Sequence, residues 1–226
     1  MVLMPGREEP LVTGEIYHVF NRGITNQNTF QQSQDYYHFL DTIIYYQKLG
    51  VRPRFSYFIR LPISKRNELI YQKHFCFLVD IICYCLMPNH FHLLLKQVSE
   101  DGISKFVSLV TNSYSRYFNT KNRRRGPIFQ GKFMNVRVEN EQQLVHLSRY
   151  IHLNPYSSGV VNNLIDLKNY PYSSFSEYIV PKTINACQKG VVINIFKDQE
   201  DYCNFVLDQS DNQRQIEKIK HLVLDL

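Results

Sequence analysis

The chain of 226 residues has no tryptophan, no long apolar run and no regular cysteine framework. No apolar stretch reaches the ~18 to 20 residues that a membrane-spanning helix needs, so we expect no membrane partner. Residues 1–10 include Arg7, Glu8 and Glu9 and lack an apolar core, so no secretory signal is expected. The five cysteines are odd in number and irregularly spaced, which is typical of a reduced protein and predicts a cytoplasmic location.

Acidic residues are missing from the whole segment Gly102 to Val138, although the chain's net charge is only +6. Its cations are Lys105, Arg116, Lys121, Arg123, Arg124, Arg125, Lys132 and Arg137. A segment of one sign suits a polyanion such as nucleic acid. A solvated basic face without a partner explains the same charge equally well.

Composition is that of a globular protein, with 44% hydrophobic and 20% charged residues. Apolar and β-rich stretches predict four strands, and helical spacing of apolar residues predicts three helices. The predicted strands are Glu15–Asn21, Phe75–Leu86, Phe91–Val98 and Lys132–Val138; the predicted helices are Asp35–Tyr46, a helix from Ile103 to Tyr117, and a helix from Glu141 until Pro155. A basic loop, Asn119–Pro127, follows the second helix, and Asn140 with Gln143 resembles a capping box before the third.

The order β-α-β-β-α-β with a further helix predicts an α+β protein of the ferredoxin-like class, with one antiparallel sheet and helices on one face. We predict a catalytic domain over residues 1–180, from which Val51–His74 is an excursion. Residues 181–226 are predicted to form a small helical extension, with helices over Ile193–Val206 and Gln213–Leu226.

The triplet His90-Phe91-His92 lies at the start of the third predicted strand. Alternate residues of a strand share a face, so the two imidazoles lie about 6 to 7 Å apart on one side and can converge on a cation. Phe91 then faces the packed side. Two surface histidines at a strand edge are the simpler alternative.

The third predicted helix carries Tyr150 and Asn154 four residues apart, on one helical face. An amide oxygen together with imidazoles is a ligand set that Mg²⁺ or Mn²⁺ accepts. A core tyrosine and a helix-ending asparagine before Pro155 explain the same residues. His146, one turn before Tyr150, is a weaker candidate for proton transfer and is better explained by packing or exposure.

Several segments together resemble the HUH single-tyrosine transposases, and within them the REP-associated tyrosine transposases. The matching segments, in order, are Tyr17–Gly23, the HUH signature Met87–Leu95, Gly126–Phe133, the nucleophile helix Arg149–Pro155, and Tyr170–Phe175, where tyrosine replaces the usual tryptophan. The resemblance runs from about residue 15 to residue 179, and the combination is more specific than any one motif.

The resemblance implies that His90, His92 and Asn154 hold one divalent cation, Mg²⁺ or Mn²⁺. It implies that Tyr150 attacks a phosphate of single-stranded DNA, forms a 5′-phosphotyrosine link and frees a 3′-hydroxyl. The expected substrate forms hairpins of the REP type. Residues expected to contact DNA are Asn21, Arg22, Arg116, Lys121, Arg123, Arg124, Arg125 and Lys132.

Two other functions stay open from the sequence. One is a nucleic-acid-binding protein that keeps the fold without cleaving DNA. The other is a small zinc-stabilised module built on Cys83, Cys85, His90 and His92, although this spacing is not a common structural zinc arrangement and core cysteines are the better explanation. The sequence also leaves open whether the protein acts alone or as a homodimer that exchanges its tyrosine helix.

Overall fold

The computed structural model describes residues 10–49, 53–70, 76–180 and 186–216. Its strands are β1 Ile16–Arg22, β2 Lys48–Leu49, β3 Cys76–Phe77, β4 Val79–Met87, β5 His90–Gln97 and β6 Met134–Arg137. Its α-helices are α1 Ser33–Tyr46, α2 Phe55–Phe58, α3 Ile63–Ile70, α4 Gly102–Lys121, α5 Glu141–Ser157, α6 Leu164–Lys168, α7 Phe175–Ile179, α8 Gly190–Ile193 and α9 Gln199–Asp208. Within these ranges no helix is long and apolar enough to cross a membrane.

Four strands form one antiparallel sheet in the order β4-β5-β1-β6. The hairpin between β4 and β5 turns at Pro88 and Asn89, and β1 pairs along the other side of β5. Apart from the excursion and the short pair β2 and β3 beside it, the elements follow the predicted order of strand, helix, two strands, helix and strand, and the predicted α+β class with an antiparallel sheet is confirmed. β4 is buried along nearly all of its length, which explains its almost uninterrupted apolar sequence.

The two faces of the sheet are covered by different helices. Phe91 of β5 contacts Phe39 of α1, with ring centroids 5.1 Å apart, and Phe39 contacts Tyr114 of α4. His92 points to the opposite face, where its ring lies against Tyr150 of α5. The expectation of helices on one face holds for α1 and α4, whereas the third long helix packs on the other side.

α5 begins as predicted and ends later than predicted. The side chain of Asn140 accepts a hydrogen bond from the backbone N–H of Gln143 at 2.8 Å, which caps the helix. The helix continues through Pro155 to Ser157, so the expectation that the proline ends it was wrong. Pro155 costs only one backbone hydrogen bond here, because it lies in the last turn, and Ser158 N–H still bonds the carbonyl of Asn154.

The C-terminal segment is helical and joins the main hydrophobic core. The single helix predicted over Ile193–Val206 is in fact α8 and α9, because Asp198 caps a new helix by accepting from the N–H of Asp201. Tyr202 and Val206 of α9 are fully buried in the same core as the sheet. Residues 210–216 are helical, while 217–226 of the second predicted helix lie outside the described residues.

The predicted excursion contains two helices, α2 and α3, and begins and ends at the short pair β2 and β3. Its described part packs around a small separate cluster of Tyr45, Phe55 and Phe58. Residues 51, 52 and 71–74 of the excursion lie outside the described residues, as do residues 181–185 beside the proposed domain boundary.

Candidate active site

The two histidines of the triplet lie side by side on one face of β5. Their ring centroids are 4.9 Å apart, with His92 buried and His90 half-buried. The Nδ1 atom of His90 is 2.6 Å from Oδ1 of Asn89, in the turn that precedes the strand. Phe91 is completely buried on the opposite face, so it anchors the strand beneath the imidazoles.

A third histidine, His18 of β1, completes the cluster. Strand pairing sets Phe20 opposite His92 and His18 opposite Leu94, so His18 lies on the same face, one strand away from the triplet. Its Nε2 atom is 2.9 Å from Nδ1 of His92, and the two rings meet edge to edge, with centroids 5.1 Å apart and planes inclined by 24°. His18 was not predicted from the sequence as a site residue, although it lies within the matching segment Tyr17–Gly23.

Tyr150 of α5 lies against this cluster. Its half-buried ring is 5.8 Å from the ring of His92 and 6.2 Å from that of His18, edge-on in both cases. The tyrosine and the imidazoles are 58 or more residues apart in sequence and meet because α5 packs across β4 and β5. The arrangement sets the Tyr150 ring edge-on to two imidazoles, whose nitrogen atoms can bind a cation.

The three imidazoles are held in their neutral form by burial. Burial lowers the pKa of His18 to about 4, and burial with the nearby charge of Arg22 lowers the pKa of His90 to about 4. The pKa of His92 lies well below its usual value because of burial and the neighbouring His90, His18 and Arg22. Neutral imidazole is the form that binds a metal ion, so no proton has to be displaced at neutral pH.

Asn154 lies one turn after Tyr150 on the same helix and is buried. Its Nδ2 atom donates to the carbonyl of Tyr150 at 3.0 Å. In the described part of the chain no three His, Cys, Asp or Glu side chains form a group that could hold a metal ion. A cation bound by His90 and His92 therefore depends on an oxygen ligand, such as the amide of Asn154.

His146, the weaker candidate for proton transfer, points away from the cluster. It is exposed, its Nδ1 atom lies 2.7 Å from Nη2 of Arg149, and its ring lies against Phe205 of α9. The structure therefore places His146 on the side of α5 that faces α9, where it contacts Arg149 and Phe205.

A buried polar network fixes the helix that carries Tyr150. His152 has its Nδ1 atom 2.7 Å from the hydroxyl of Tyr202 and its Nε2 atom 2.9 Å from Oγ of Ser174. Tyr202 also donates to Ser148 at 3.1 Å, and the N–H of Tyr84 in β4 donates to Ser174 at 2.9 Å. α5 is thus bonded to α9 on one side and, through Ser174, to the sheet.

Cys83 and Cys85 do not form the alternative zinc site with the histidines. Both are fully buried in β4, and burial raises the pKa of both thiols. The Cys85 thiol lies 3.7 Å from the sulfur of Met87. A protonated, apolar environment suits core cysteines rather than thiolate ligands, and all five cysteines of the chain are free.

The cationic residues predicted to contact DNA divide into two groups. Arg22 is exposed at the end of β1, opposite His90, and its carbonyl accepts from the N–H of Gln130 at 2.8 Å. This bond ties the loop after α4 to the end of the sheet where His90 lies. Also on the surface are Arg116, Arg123, Arg125 and Lys132, while Arg124 is half-buried and bonds the carbonyl of Pro127.

Lys121 and Asn21 are engaged inside the protein. The ammonium group of Lys121 is 2.6 Å from the carboxylate of the fully buried Asp35, which also accepts from the hydroxyl of Tyr117. Asn21 is buried on the sheet face opposite to the histidines, and its Oδ1 accepts from the N–H of Arg22. The structure does not bring either side chain to the histidine cluster.

An apolar strip extends from the cluster to the open edge of the sheet. Phe20 of β1 lies 5.8 Å from His92, ring to ring, and is paired with Met134 of β6. Val136 is paired with His18. Met134 and Val136 are 49% and 48% exposed, respectively, so the strip is open to solvent at the edge of the sheet. Because side chains alternate along a strand, the sequence predicts that His18 and Phe20 share one face of β1 and that Met134 and Val136 share one face of β6. It does not predict that β6 pairs with β1.

Comparison with known proteins agrees with this geometry. The family model described as "Transposase IS200 like" matches residues 51–154, which include both histidines and Tyr150. A protein of Haemophilus influenzae described as a REP-associated tyrosine transposase is 28% identical over 107 residues, and the match spans 42% of this chain and 58% of that protein.

A solved structure shows the same fold. It is described as a REP-associated tyrosine transposase bound to a REP hairpin and superposes with a TM-score of 0.55 at 16% identity, covering 81% of this chain and 90% of that one. The family model, the relative and the fold agree with the motifs that this chain shares with the single-tyrosine transposases.

Proposed function

We propose that this chain cleaves and rejoins single-stranded DNA through a covalent link to Tyr150. The observation that carries the proposal is the contact of the Tyr150 ring with His92, at 5.8 Å, and with His18, at 6.2 Å. A tyrosine that served only in packing would not require two neutral imidazoles beside its half-buried ring.

The reaction exchanges one phosphodiester for another. The Tyr150 oxygen attacks a backbone phosphorus, the bond from that phosphorus to the 3′ oxygen breaks, and the proton of the phenol ends on the freed 3′-hydroxyl. The product is a 5′-phosphotyrosine. Because the phosphoester is kept in the new bond, another 3′-hydroxyl can reverse the step and join strands without ATP.

A divalent cation, Mg²⁺ or Mn²⁺, fits the residues present. His90 and His92 are neutral and share a face, and each would offer Nε2 as a ligand in the tautomer whose hydrogen-bonded Nδ1 carries the proton. Asn154 supplies a hard oxygen donor from α5. When bound, such a cation would polarise the phosphate and offset the charge that develops during attack. A phenol has an unperturbed pKa of about 10, so this assistance matters at neutral pH.

The DNA surface has a charged part and an apolar part. Arg22 lies at the end of the sheet where His90 lies, and residues 123–125 and Lys132 lie in the loop tied to that end. There, cations can pair with backbone phosphates. The strip of Phe20, Met134 and Val136 offers a floor for the unstacked bases that single-stranded DNA presents. The similar structure is bound to a REP hairpin, and we propose hairpin-forming DNA as the substrate here.

The test uses labelled hairpin DNA with a single-stranded flank, Mn²⁺ and a denaturing gel. Wild type is expected to give a protein–DNA band that survives denaturation, and Tyr150→Phe is expected to give none while binding the DNA with unchanged affinity. Tyr156→Phe is the matched control, because its hydroxyl, on the same helix, bonds Asp211 instead.

Two results would contradict the proposal. A covalent band in Tyr150→Phe would mean that another residue is the nucleophile. Absence of a band with wild type on hairpins that it binds would favour a protein that binds nucleic acid without cleaving it.

A further inference from the structure

The short contact between His18 and His92 raises the question of which ring donates. Nε2 of His18 and Nδ1 of His92 are 2.9 Å apart, so one proton lies between them. A neutral imidazole has one N–H and one lone pair, so this proton decides where the lone pair of His92 is.

The two arrangements have opposite consequences. If His18 donates, the proton of His92 is on Nε2, and that atom cannot bind a cation. If His92 donates from Nδ1, its Nε2 carries the lone pair. His90 shows the same pattern without ambiguity: its Nδ1 faces Oδ1 of Asn89 at 2.6 Å, and because that oxygen only accepts, Nδ1 carries the proton and Nε2 the lone pair.

We propose that His18 is a positioning residue that accepts a hydrogen bond from Nδ1 of His92 and so fixes the tautomer in which His92 offers Nε2 to the metal. The inference rests on the proposed metal centre. Acceptors of this kind orient metal-bound histidines in many proteins, and their loss weakens metal binding about 10- to 100-fold.

Packing limits the alternatives open to the His18 ring. It is 6% exposed, its neighbours Tyr17 and Val19 are buried on the other face of β1, and it lies between Phe20 and Tyr150 with ring centroids 5.0 and 6.2 Å away. A ring held on both sides keeps its nitrogen directed at His92. Substitutions of His18 can therefore test separately the effect of the size of the ring and the effect of its acceptor nitrogen.

Two variants make this separation. His18→Phe keeps an aromatic ring of similar size and removes the acceptor. His18→Gln loses the ring and sets an amide oxygen near the position of Nε2. If His18 acts only by packing, the phenylalanine variant should resemble wild type and the glutamine variant should not. If His18 acts as an acceptor, the glutamine variant should resemble wild type and the phenylalanine variant should not.

The first measurement is the tautomer of His92 in the full chain without metal, read from long-range ¹H–¹⁵N correlations of the imidazole nitrogens. We expect protonated Nδ1 in wild type and in His18→Gln. Protonated Nε2 in wild type would overturn the proposal, and this result needs no variant to fold.

The second measurement is Mn²⁺ affinity by calorimetry without DNA. We expect His18→Phe to bind about 10- to 100-fold more weakly than wild type and His18→Gln to stay within a few-fold. Equal affinity of wild type and His18→Phe would refute the role of His18. If wild type and His90→Ala bind Mn²⁺ alike, the metal centre of the proposed function fails, and the tautomer measurement still decides the hydrogen bond.

Discussion

The buried histidine of α5, His152, makes the stability of this protein depend on pH. Its ring is completely buried between α5, α9 and Ser174, and burial lowers the pKa of His152 from 6.5 to about 3. The folded chain therefore binds this proton much more weakly than the unfolded chain. The stabilisation is complete above the unfolded pKa of 6.5 and is lost as pH falls towards 3.

The magnitude follows from the two pKa values. Between about pH 7.5 and about pH 5 the unfolded chain takes up nearly one proton at this position and the folded chain takes up almost none. Integrated over that interval, the free energy of unfolding decreases by about 2 kcal/mol because of His152 alone. His18, His90 and His92, whose pKa values burial also lowers, add to the total effect in the same direction.

A variant isolates the contribution of one histidine. His152→Gln retains a side chain that can hydrogen bond and removes the titration, so the other histidines cancel in the comparison with wild type. We expect the variant to be less stable at about pH 7.5, because its amide fits the network of Tyr202 and Ser174 less well. Its loss of stability on going to about pH 5 should be smaller than that of wild type by about 2 kcal/mol.

The assay is urea unfolding followed by far-ultraviolet circular dichroism, since the chain has no tryptophan to report by fluorescence. His146→Gln is the matched control, because His146 is exposed on the same helix. If the free energy of unfolding changes equally with pH in wild type and His152→Gln, and their urea m-values are equal, the reasoning is refuted.

Two predictions concern the DNA surface. Replacing residues 123–125 with alanine should weaken hairpin binding and flatten the slope of log affinity against log salt by about 0.7 to 0.9 for each lost phosphate contact, and an unchanged slope would exclude this loop. Lys121→Ala is the contrast, because its ammonium group neutralises Asp35; it should reduce stability and leave the salt slope unchanged. Phe20→Leu should reduce affinity for single-stranded DNA roughly tenfold, from the loss of stacking. Ile165→Ala, a change of an exposed apolar residue on α6, should have no effect, and equal affinities for the Phe20 and Ile165 variants would argue against the apolar strip.

Local periodicity was enough to predict the four main strands and the long helices. The β4–β5 hairpin is apolar almost throughout and turns at Pro88-Asn89, so both its strands and their pairing follow from the sequence. The alternation of side chains also predicts that His90 and His92 share a face, because this depends only on the strand itself.

Contacts between distant segments could not be predicted in this way. His18 and His92 are 74 residues apart, and their contact requires knowing that β1 pairs with β5. The basic segment shows the same limit: Lys121 looks like one of several DNA-binding cations until Asp35, 86 residues earlier, is found beside it. A run of cations in the sequence predicts a DNA-binding surface only after the cations that pair with buried carboxylates have been excluded.

The C-terminal segment explains why α5 holds Tyr150 where it does. The face of α5 turned away from the histidine cluster carries His152, whose ring bonds Tyr202 of α9. Farther along, Gln213 donates to the carbonyl of Tyr150 and to the hydroxyl of Ser157, both at 3.2 Å. The position of the tyrosine therefore depends on Tyr202 and Gln213, which lie 52 and 63 positions after it in the same chain. A segment that the sequence shows only as helical is thus part of the framework that sets Tyr150 against the imidazoles.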